Sequence, residues 1–340
     1  MEQLELDNIL SGNENVLTDR QTDRQTDRQP QTLDEKIDKA KKALRLAAEM
    51  SKTYYGEPLI VTYSGGKDSD VMLDITESCL KTDEFEVLNS HTTVDAPETV
   101  RHIREVFKRL NDKGIKTSID YHVQEDGTRL TMWNLIPKKL IPPTRNVRYC
   151  CQVLKETGTL NRLCALGVRA AESKKRQGRD TFSTRGGTHK DAKFFSLSHA
   201  EEVHREAQEL QDPVWDCTLV KNMRENKDTL VNPIYEWTTP DIWEYINRKG
   251  LEVNPLYAKG YDRVGCVGCP LASYHQKMKE FNDYPQYKTM YIRAFDKMLE
   301  ERRKRRKQGK TCDWQNGQEV FNWWVEEYKQ VPKGQMNLFD

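Results

Sequence analysis

With 340 residues, 36% of them hydrophobic and 31% charged, the chain has room for one large domain with an appendage, or for two domains. Its 54 Lys and Arg balance 53 Asp and Glu to a net charge of +1, so overall charge points to neither a nucleic-acid nor a membrane partner, and only local clusters can. No apolar run approaches the roughly 20 residues of a membrane helix, and the first residues carry no signal-peptide pattern, so no membrane partner is expected.

Residues 1–31 read as a disordered tail. Thr18-Asp19-Arg20-Gln21 recurs at Thr22 and Thr26, a polar low-complexity tract that cannot bury a core. Thr32 and Glu35 then form a capping box, and Ile37, Ala40, Leu44 and Ala47 follow at helical spacing, which predicts a helix over 33–52. Pro58 to Tyr63 is a short apolar run ending at a glycine pair, the pattern of a buried strand. A helix is expected from about Asp70 to Leu80, a strand from Glu86 to His91, a helix from Pro97 to about Lys113, and a third strand from Thr117 to Val123. Further strands are expected at 165–169 and 230–234. This alternation predicts an α/β fold, a parallel twisted sheet with helices on both faces.

Residues 173–228 break that rhythm. They are basic and glycine-containing from Lys174 to Lys193, acidic and helical from Glu201 to Asp212, and read as a long insert near the site. Pro240 marks a helix start in Thr239-Pro240-Asp241. The chain divides into the tail 1–31, an α/β domain over 32–270 and a helical extension over 271–340. That extension carries a basic run from Arg302 to Lys307 and an aromatic helix around Trp323 and Trp324.

Ser64-Gly65-Gly66-Lys67-Asp68-Ser69 lies between the first strand and the helix that follows it. There, successive backbone N–H groups and a helix N-terminus can face an anion, and glycines let it come close. Lys67 adds a full positive charge, the Ser64 and Ser69 hydroxyls can donate to phosphate oxygens, and Asp68 suits a metal-bound phosphate or holds the loop's shape. The string is no Walker A loop, because Asp68 follows Lys67 and no glycine sits five positions before Gly66. An ordinary glycine turn is the bland alternative; six residues in a strand–loop–helix setting outweigh it.

Eight cysteines without a leader point to the reducing cytoplasm, where paired cysteines hold metal or do redox chemistry more often than they form disulfides. Cys150 and Cys151 are adjacent, and Cys266-Val267-Gly268-Cys269 can turn two thiolates towards one centre. By itself that pair suits a zinc half-site, a redox pair or two packed cysteines. Neighbouring side chains converge on one small tetrahedral ion only with difficulty, whereas a cuboidal cluster lets each thiolate take a different iron. A [4Fe-4S] cluster on Cys150, Cys151, Cys266 and Cys269 is therefore favoured, with zinc and no metal as the other readings. Cys79, Cys164 and Cys217 read as core fillers, and Cys312 as a surface thiol whose nearby lysine makes it a candidate nucleophile.

With loop and cysteines in place, residues 55–275 resemble the phosphoadenosine phosphosulfate (PAPS) reductase family, within the adenine-nucleotide α-hydrolase-like (PP-loop) group whose signature is Ser-Gly-Gly-x-Asp-Ser. His91-Thr92-Thr93-Val94-Asp95-Ala96-Pro97-Glu98-Thr99 is similar to the family's Asp-Thr-Gly…Pro-Glu-Thr segment. The segment from Arg148 through Cys150-Cys151 to Lys155 resembles its double-cysteine stretch, and Gly167 through Arg169, Glu172 and Arg176 its Gly-x-Arg…Glu-Ser…Arg motif. Asn232 to Trp243 and Asn254-Pro255-Leu256-Tyr257 resemble its closing stretch before Cys-x-x-Cys.

The resemblance implies that Ser64, Gly65, Gly66, Lys67, Asp68 and Ser69 bind nucleotide phosphate and that Thr92 lies near the nucleotide. It also implies that Arg169 and Arg176 meet anionic substrate groups, with Glu172 orienting one of them, and that the four cysteines hold a [4Fe-4S] cluster. His91 and Thr93 depart from the family's Asp and Gly, and the Glu-Cys-Gly-Leu-His motif that supplies the nucleophile of sulfonucleotide reductases is absent. Three functions follow. In sulfonucleotide reduction, a thiolate, with Cys312 the candidate, attacks the sulfur of PAPS or adenylyl sulfate and a thioredoxin-like reductant resets the enzyme. In ATP-dependent sulfur transfer, the loop holds ATP and Mg²⁺ and a nucleic-acid acceptor is adenylylated, as in DNA phosphorothioation or tRNA thiolation. The basic stretches at 174–193 and 302–307 then meet its backbone, or are solvated faces. A nucleotide sensor that has lost chemistry is the third.

Overall fold

The computed structural model describes residues 31–156, 158–159, 161–173, 176–185, 192–210, 217–305 and 314–326. The repeat tract, Lys174, Lys175, Arg306, Lys307 and the candidate nucleophile Cys312 lie outside the described residues.

Helix α1 (Leu33–Met50) starts where expected. The Thr32 hydroxyl accepts from the Glu35 N–H at 3.3 Å while the Glu35 carboxylate takes the Thr32 N–H at 2.8 Å. Its apolar stripe, Ile37, Ala40, Leu44 and Ala47, is buried. The helix then widens into a π turn at Ser51–Tyr55 and stops at Gly56.

Strands β1 (Leu59–Thr62), β2 (Phe85–Ser90), β3 (Thr117–Asp120), β4 (Leu163–Ala165), β5 (Phe182–Thr184), β6 (Phe194–Phe195) and β7 (Thr229–Val231) form one sheet in the order β3-β2-β1-β4-β7-β5-β6. The five strands from β3 to β7 are parallel, and β1 and β2 are almost entirely buried, as strands covered on both faces must be. Helices α2 (Lys67–Cys79) and α3 (Pro97–Asp112) make the crossovers between β1, β2 and β3.

The sheet is mixed rather than purely parallel. β5 runs antiparallel to both β7 and β6. Part of the stretch read as an insert is thus the edge of the sheet itself. Strands of three and two residues are too short to show a period of two in the sequence. The acidic part of the same stretch is helix α6 (Leu197–Leu210), which packs on α1: Glu201 pairs with Lys42 at 2.7 Å, and His204 Nδ1 meets the Tyr54 hydroxyl at 3.0 Å. Helix α7 (Thr218–Arg224) follows, and helix α8 (Thr239–Lys249) begins with a Thr238–Asp241 capping box and Pro240 in its first turn.

A second core lies beside the sheet. Helices α4 (Met132–Lys139), α5 (Tyr149–Leu154), α9 (Tyr274–Asp283), α10 (Pro285–Lys304) and α11 (Gly317–Glu326) share it, through Leu135, Cys150, Phe281, Tyr291, Phe295 and Trp324. The Trp324 indole N–H donates to the Pro143 carbonyl at 2.7 Å, and its ring centre lies 4.7 Å from that of Tyr291. The helices beyond residue 271 thus complete the core around the cysteines. The described part of the basic run ends α10, with Lys304 paired to Glu301 at 2.8 Å and Arg303 donating to the Gln315 carbonyl at 2.7 Å. Positive charge is favourable there whatever its partners, because it faces the negative end of the helix dipole. Among the described residues, no helix is long and apolar enough to cross a membrane.

Candidate active site

In a parallel sheet, ligands bind at the carboxyl ends of the strands where the strand order reverses. Here the chain runs from β1 outward to β2 and β3, then returns to β4 on the other side of β1, so that rule points to the ends of β1 and β4. The Ser64–Ser69 loop follows β1 there and the Gly167–Arg169 turn follows β4.

Gly65 has φ +71°, and a Cβ there would sit 2.9 Å from Ile103 Cγ1 and 3.2 Å from Thr99 Cγ2. The two serine hydroxyls do not point outward as expected. Ser69 Oγ donates to the Gly66 carbonyl at 2.7 Å and accepts from the N–H groups of Gly66 at 3.2 Å and Ser64 at 3.3 Å. The Ser64 hydroxyl donates to Ser69 Oγ at 3.2 Å. Both hydroxyls, and with them the Ser64 and Gly66 N–H groups, therefore hold the loop's shape, leaving the Lys67 ammonium and the first N–H groups of α2 as the donors for an anion.

Lys67 is buried to 7% exposure, with its ammonium 3.7 Å from Asp68 Oδ2. The other Asp68 oxygen accepts from Arg169 Nε at 2.8 Å. Arg169, only 3% exposed, also donates through Nη1 to the Trp237 carbonyl at 3.3 Å and to Thr239 Oγ1 at 3.4 Å. A Cβ on Gly167 would meet the Asp68 carbonyl group at 3.3 Å, so the β4 turn lies directly on the loop. Arg169 thus orients Asp68. Glu172 accepts the Arg169 backbone N–H at 3.2 Å and pairs with the Arg176 guanidinium. Burial, and then the charges of Arg179, Arg263, Arg148 and Arg169, push the Arg176 pKa below its ordinary value, the signature of a locally positive surface.

Several residues at the site carry no role in the sequence reading. Asn254 donates to the Gly65 carbonyl at 2.9 Å and to Thr99 Oγ1 at 3.1 Å, and the Lys67 N–H donates to the Tyr257 hydroxyl at 2.9 Å. The resemblance carried by Asn254-Pro255-Leu256-Tyr257 was the only available signal for them. Behind the loop, the Tyr63 hydroxyl donates to Asp70 Oδ1 at 2.5 Å and lies 3.0 Å from His102 Nε2, all three side chains being buried.

The four cysteines of the two motifs come to one neighbourhood, free and mutually interacting. The Cys150 thiol is pushed up by its hydrogen bond to Cys151 and by burial. Cys151 is drawn down to about 6 by that same bond, with Lys155 and Arg148 adding positive charge. Lys155 is held above its ordinary range, chiefly by its nearness to Cys266, whose ionised form it would stabilise, and then by Asp95, Cys151 and Cys269, while burial pushes the Cys266 thiol itself up. The Cys266 thiol donates to Thr92 Oγ1 at 3.4 Å, and the Thr92 hydroxyl in turn donates to Asp95 at 2.8 Å. Thr92 therefore joins the cysteines to the end of β2.

Thr93, where the resemblance places a glycine, adopts φ +67°, a conformation costly for a β-branched residue, and its hydroxyl accepts from the Met132 N–H at 3.0 Å. Among the described residues, no three His, Cys, Asp or Glu side chains are arranged as ligands of a single metal ion. Four soft sulfur donors from two segments, walled by Tyr149, Val267 and Tyr291, do suit an iron–sulfur cluster in their chemistry.

The model of the phosphoadenosine phosphosulfate reductase domain matches residues 58–272, more than half of the chain. The chain belongs to this family. It is a family of enzymes, and the matched residues include the whole sheet from β1 to β7. An adenosine 5'-phosphosulfate reductase of Anoxybacillus flavithermus is 22% identical over 247 residues, 71% of this chain and 85% of the relative. An uncharacterized protein of Methanocaldococcus jannaschii is 24% identical over 239 residues, 68% of this chain but only 40% of the relative's length. Among solved structures, the PAPS reductase of Candida auris in its phosphate complex aligns over 71% of this chain and 98% of its own, with 14% identity and a TM-score of 0.38. The U34-tRNA thiolase of Methanococcus maripaludis with its [4Fe-4S] cluster aligns over 80% of this chain and 84% of its own, with 12% identity and a TM-score of 0.36.

Proposed function

We propose that the protein is a sulfonucleotide reductase. In this reading the ends of β1 and β4 hold adenosine 5'-phosphosulfate or its 3'-phosphorylated form, with phosphate on the N–H groups of the Ser64–Ser69 loop and on Lys67. The observation that carries the reading is the contact of Cys266 with Thr92, which sets the thiol site against the strand end beside the loop. The reductase relatives support it, as does the state of Asp68. One oxygen of that carboxylate is engaged by Arg169 and the other faces Lys67, so it serves the loop's shape rather than a metal ion.

The chemistry requires a cysteine thiolate to attack the sulfonate sulfur. A sulfur–sulfur bond forms, the bond from sulfur to the bridging phosphate oxygen breaks, and adenosine phosphate leaves. A thioredoxin-like dithiol then attacks the enzyme sulfur, sulfite departs, and the two electrons come from the dithiol, which ends as a disulfide. Cys312 is the candidate nucleophile. Cys150, Cys151, Cys266 and Cys269 would hold a [4Fe-4S] cluster, which when bound supplies iron–sulfur electrostatic and redox chemistry. Lys155 sets a compensating positive charge beside the thiolates, and Arg176 faces the anionic part of the substrate.

The test is sulfite release from either sulfonucleotide under anaerobic conditions, dependent on thioredoxin. Cys312→Ser is expected to abolish it, and unchanged release would eliminate that nucleophile. Protein purified without oxygen is expected to show a brown absorbance near roughly 400 nm that Cys150→Ala or Cys269→Ala removes. A colourless, iron-free preparation would sink the cluster assignment.

One observation favours a second reading. Arg148 and Arg263 are exposed and Arg176 and Arg179 half-buried, and together they gather positive charge suited to a phosphate-rich acceptor, as ATP-dependent sulfur transfer to nucleic acid requires. In that case the loop takes ATP with Mg²⁺, and DNA or tRNA stimulates pyrophosphate release while no sulfite appears.

A further inference from the structure

Tyr257 stands where a ligand oxygen would. The first N–H of α2, that of Lys67, donates to its hydroxyl at 2.9 Å, and the Lys67 ammonium lies 5.3 Å from the centre of the same ring. A helix N-terminus flanked by a lysine favours a negative oxygen at that point, and a neutral phenol is the weaker partner. A Cβ on Gly66 would come within 3.5 Å of the hydroxyl, so the side chain lies close over the loop.

The ring also approaches Trp243 on α8 edge-on, with centroids 5.4 Å apart. The residues after it, Ala258 to Gly260, are exposed, whereas Asn254 and Leu256 before it are buried, and Asn254 is tied to Gly65 and Thr99. The anchor of this segment and the ring are therefore separate features. The segment can stay docked on the loop while the ring turns away.

We infer that Tyr257 is a place-holder for a phosphate oxygen: its hydroxyl occupies the seat on the Lys67 N–H and has to leave it when a phosphate binds. The inference rests on the phosphate-binding reading of the Ser64–Ser69 loop. It is indifferent to whether the nucleotide is a sulfonucleotide or ATP. The hydroxyl keeps the Lys67 N–H satisfied and competes with the ligand, so it lowers affinity for phosphate-bearing ligands and leaves the recognition of the nucleoside alone.

The test is calorimetric binding of pyrophosphate, ATP, adenosine 5'-phosphosulfate and adenosine to the full chain and to Tyr257→Phe, whose unfolding midpoint is measured alongside. Phenylalanine keeps the ring and its contact with Trp243. The variant is expected to bind each phosphate compound about three- to tenfold tighter, the effect of one hydrogen bond no longer exchanged, with no change for adenosine. Equal or weaker phosphate binding by the variant overturns the inference; weaker binding would make Tyr257 a direct ligand. An equal gain for adenosine overturns it as well. If the wild-type chain takes pyrophosphate but neither nucleotide, the nucleotide reading falls while the ratio for pyrophosphate still decides Tyr257. Binding of no phosphate compound by either protein overturns both.

Discussion

Arg169→Ala is expected to cost about 3 kcal/mol of folding stability and to weaken nucleotide binding at least tenfold. A partner removed from a buried ion pair typically costs about 3–5 kcal/mol, and the partial exposure of Asp68, at 19%, puts this pair at the low end. The loss has three parts. Asp68 keeps only the distant Lys67 ammonium at 3.7 Å, and the Trp237 carbonyl and Thr239 hydroxyl lose their guanidinium donor. The loop itself then loses the carboxylate that the β4 turn holds in place. Arg169→Lys restores the charge without the planar fork and is expected to recover less than half of the loss. Adding Asp68→Asn to Arg169→Ala should reduce the cost, because the stranded charge is removed. Urea unfolding and nucleotide calorimetry read both effects. A cost under about 1 kcal/mol with unchanged binding would show that the pair does not organise the loop.

Gly268→Ala is expected to be of similar size in a different way. Gly268 sits between the cysteines of the Cys-x-x-Cys turn at φ +70°. A Cβ there would come 2.7 Å from Phe281 Cζ, 3.0 Å from Trp324 Cη2 and 3.1 Å from Tyr291 Cε2. All three rings are buried in the second core, so none can yield cheaply. Left-handed backbone costs a non-glycine residue roughly 1–2 kcal/mol and overpacking roughly 1–3 kcal/mol, about 2–5 kcal/mol together. The Gly268 N–H also donates to Glu280 at 2.7 Å, so the strain reaches the turn that carries Cys266 and Cys269. Unfolding midpoints and, anaerobically, the iron content should both fall. Gly265→Ala is the control: nothing lies within 4 Å of its Cβ position, and a change under about 0.5 kcal/mol is expected. Equal effects at the two glycines would mean that the aromatic wall does not confine the turn.

These two sites are halves of one arrangement. Arg169 sets the loop from the β4 side, while Asn254 and Tyr257 set it from a segment that continues, through Val264, to Cys266. The carbonyl of Val264 lies 3.9 Å from the Cβ position of Gly66, and Cys266 then reaches Thr92. The Ser64–Ser69 loop and the thiol site are therefore built on a shared stretch of chain, which is why a change at either is expected to be felt at the other.

What was legible in the sequence was local. The Thr32–Glu35 capping box, the helix start at Pro240, the strand–loop–helix around Ser64–Ser69 and the glycine inside Cys266–Cys269 all depend on residues within a few positions of one another. Hydrogen-bond reach and periodicity settle such features before any fold is known. Even so, side-chain direction in the loop was not legible. Ser64 and Ser69 have the right chemistry for a phosphate and use it on each other and on the backbone.

The remaining features depend on where distant segments come to lie. Arg169 meets Asp68 across 101 positions, Asn254 meets Gly65 across 189, and Tyr257 meets Lys67 across 190. No periodicity or propensity encodes a contact of that kind. It arises because β4 returns beside β1 and the segment after α8 folds back over the loop. Sequence alone thus specified a glycine loop between a strand and a helix, and two cysteine pairs. Packing made Arg169 a support for Asp68, put Tyr257 on the loop's first N–H, and drew the cysteines to the end of β2, because burial of the two cores determines which segments share a wall.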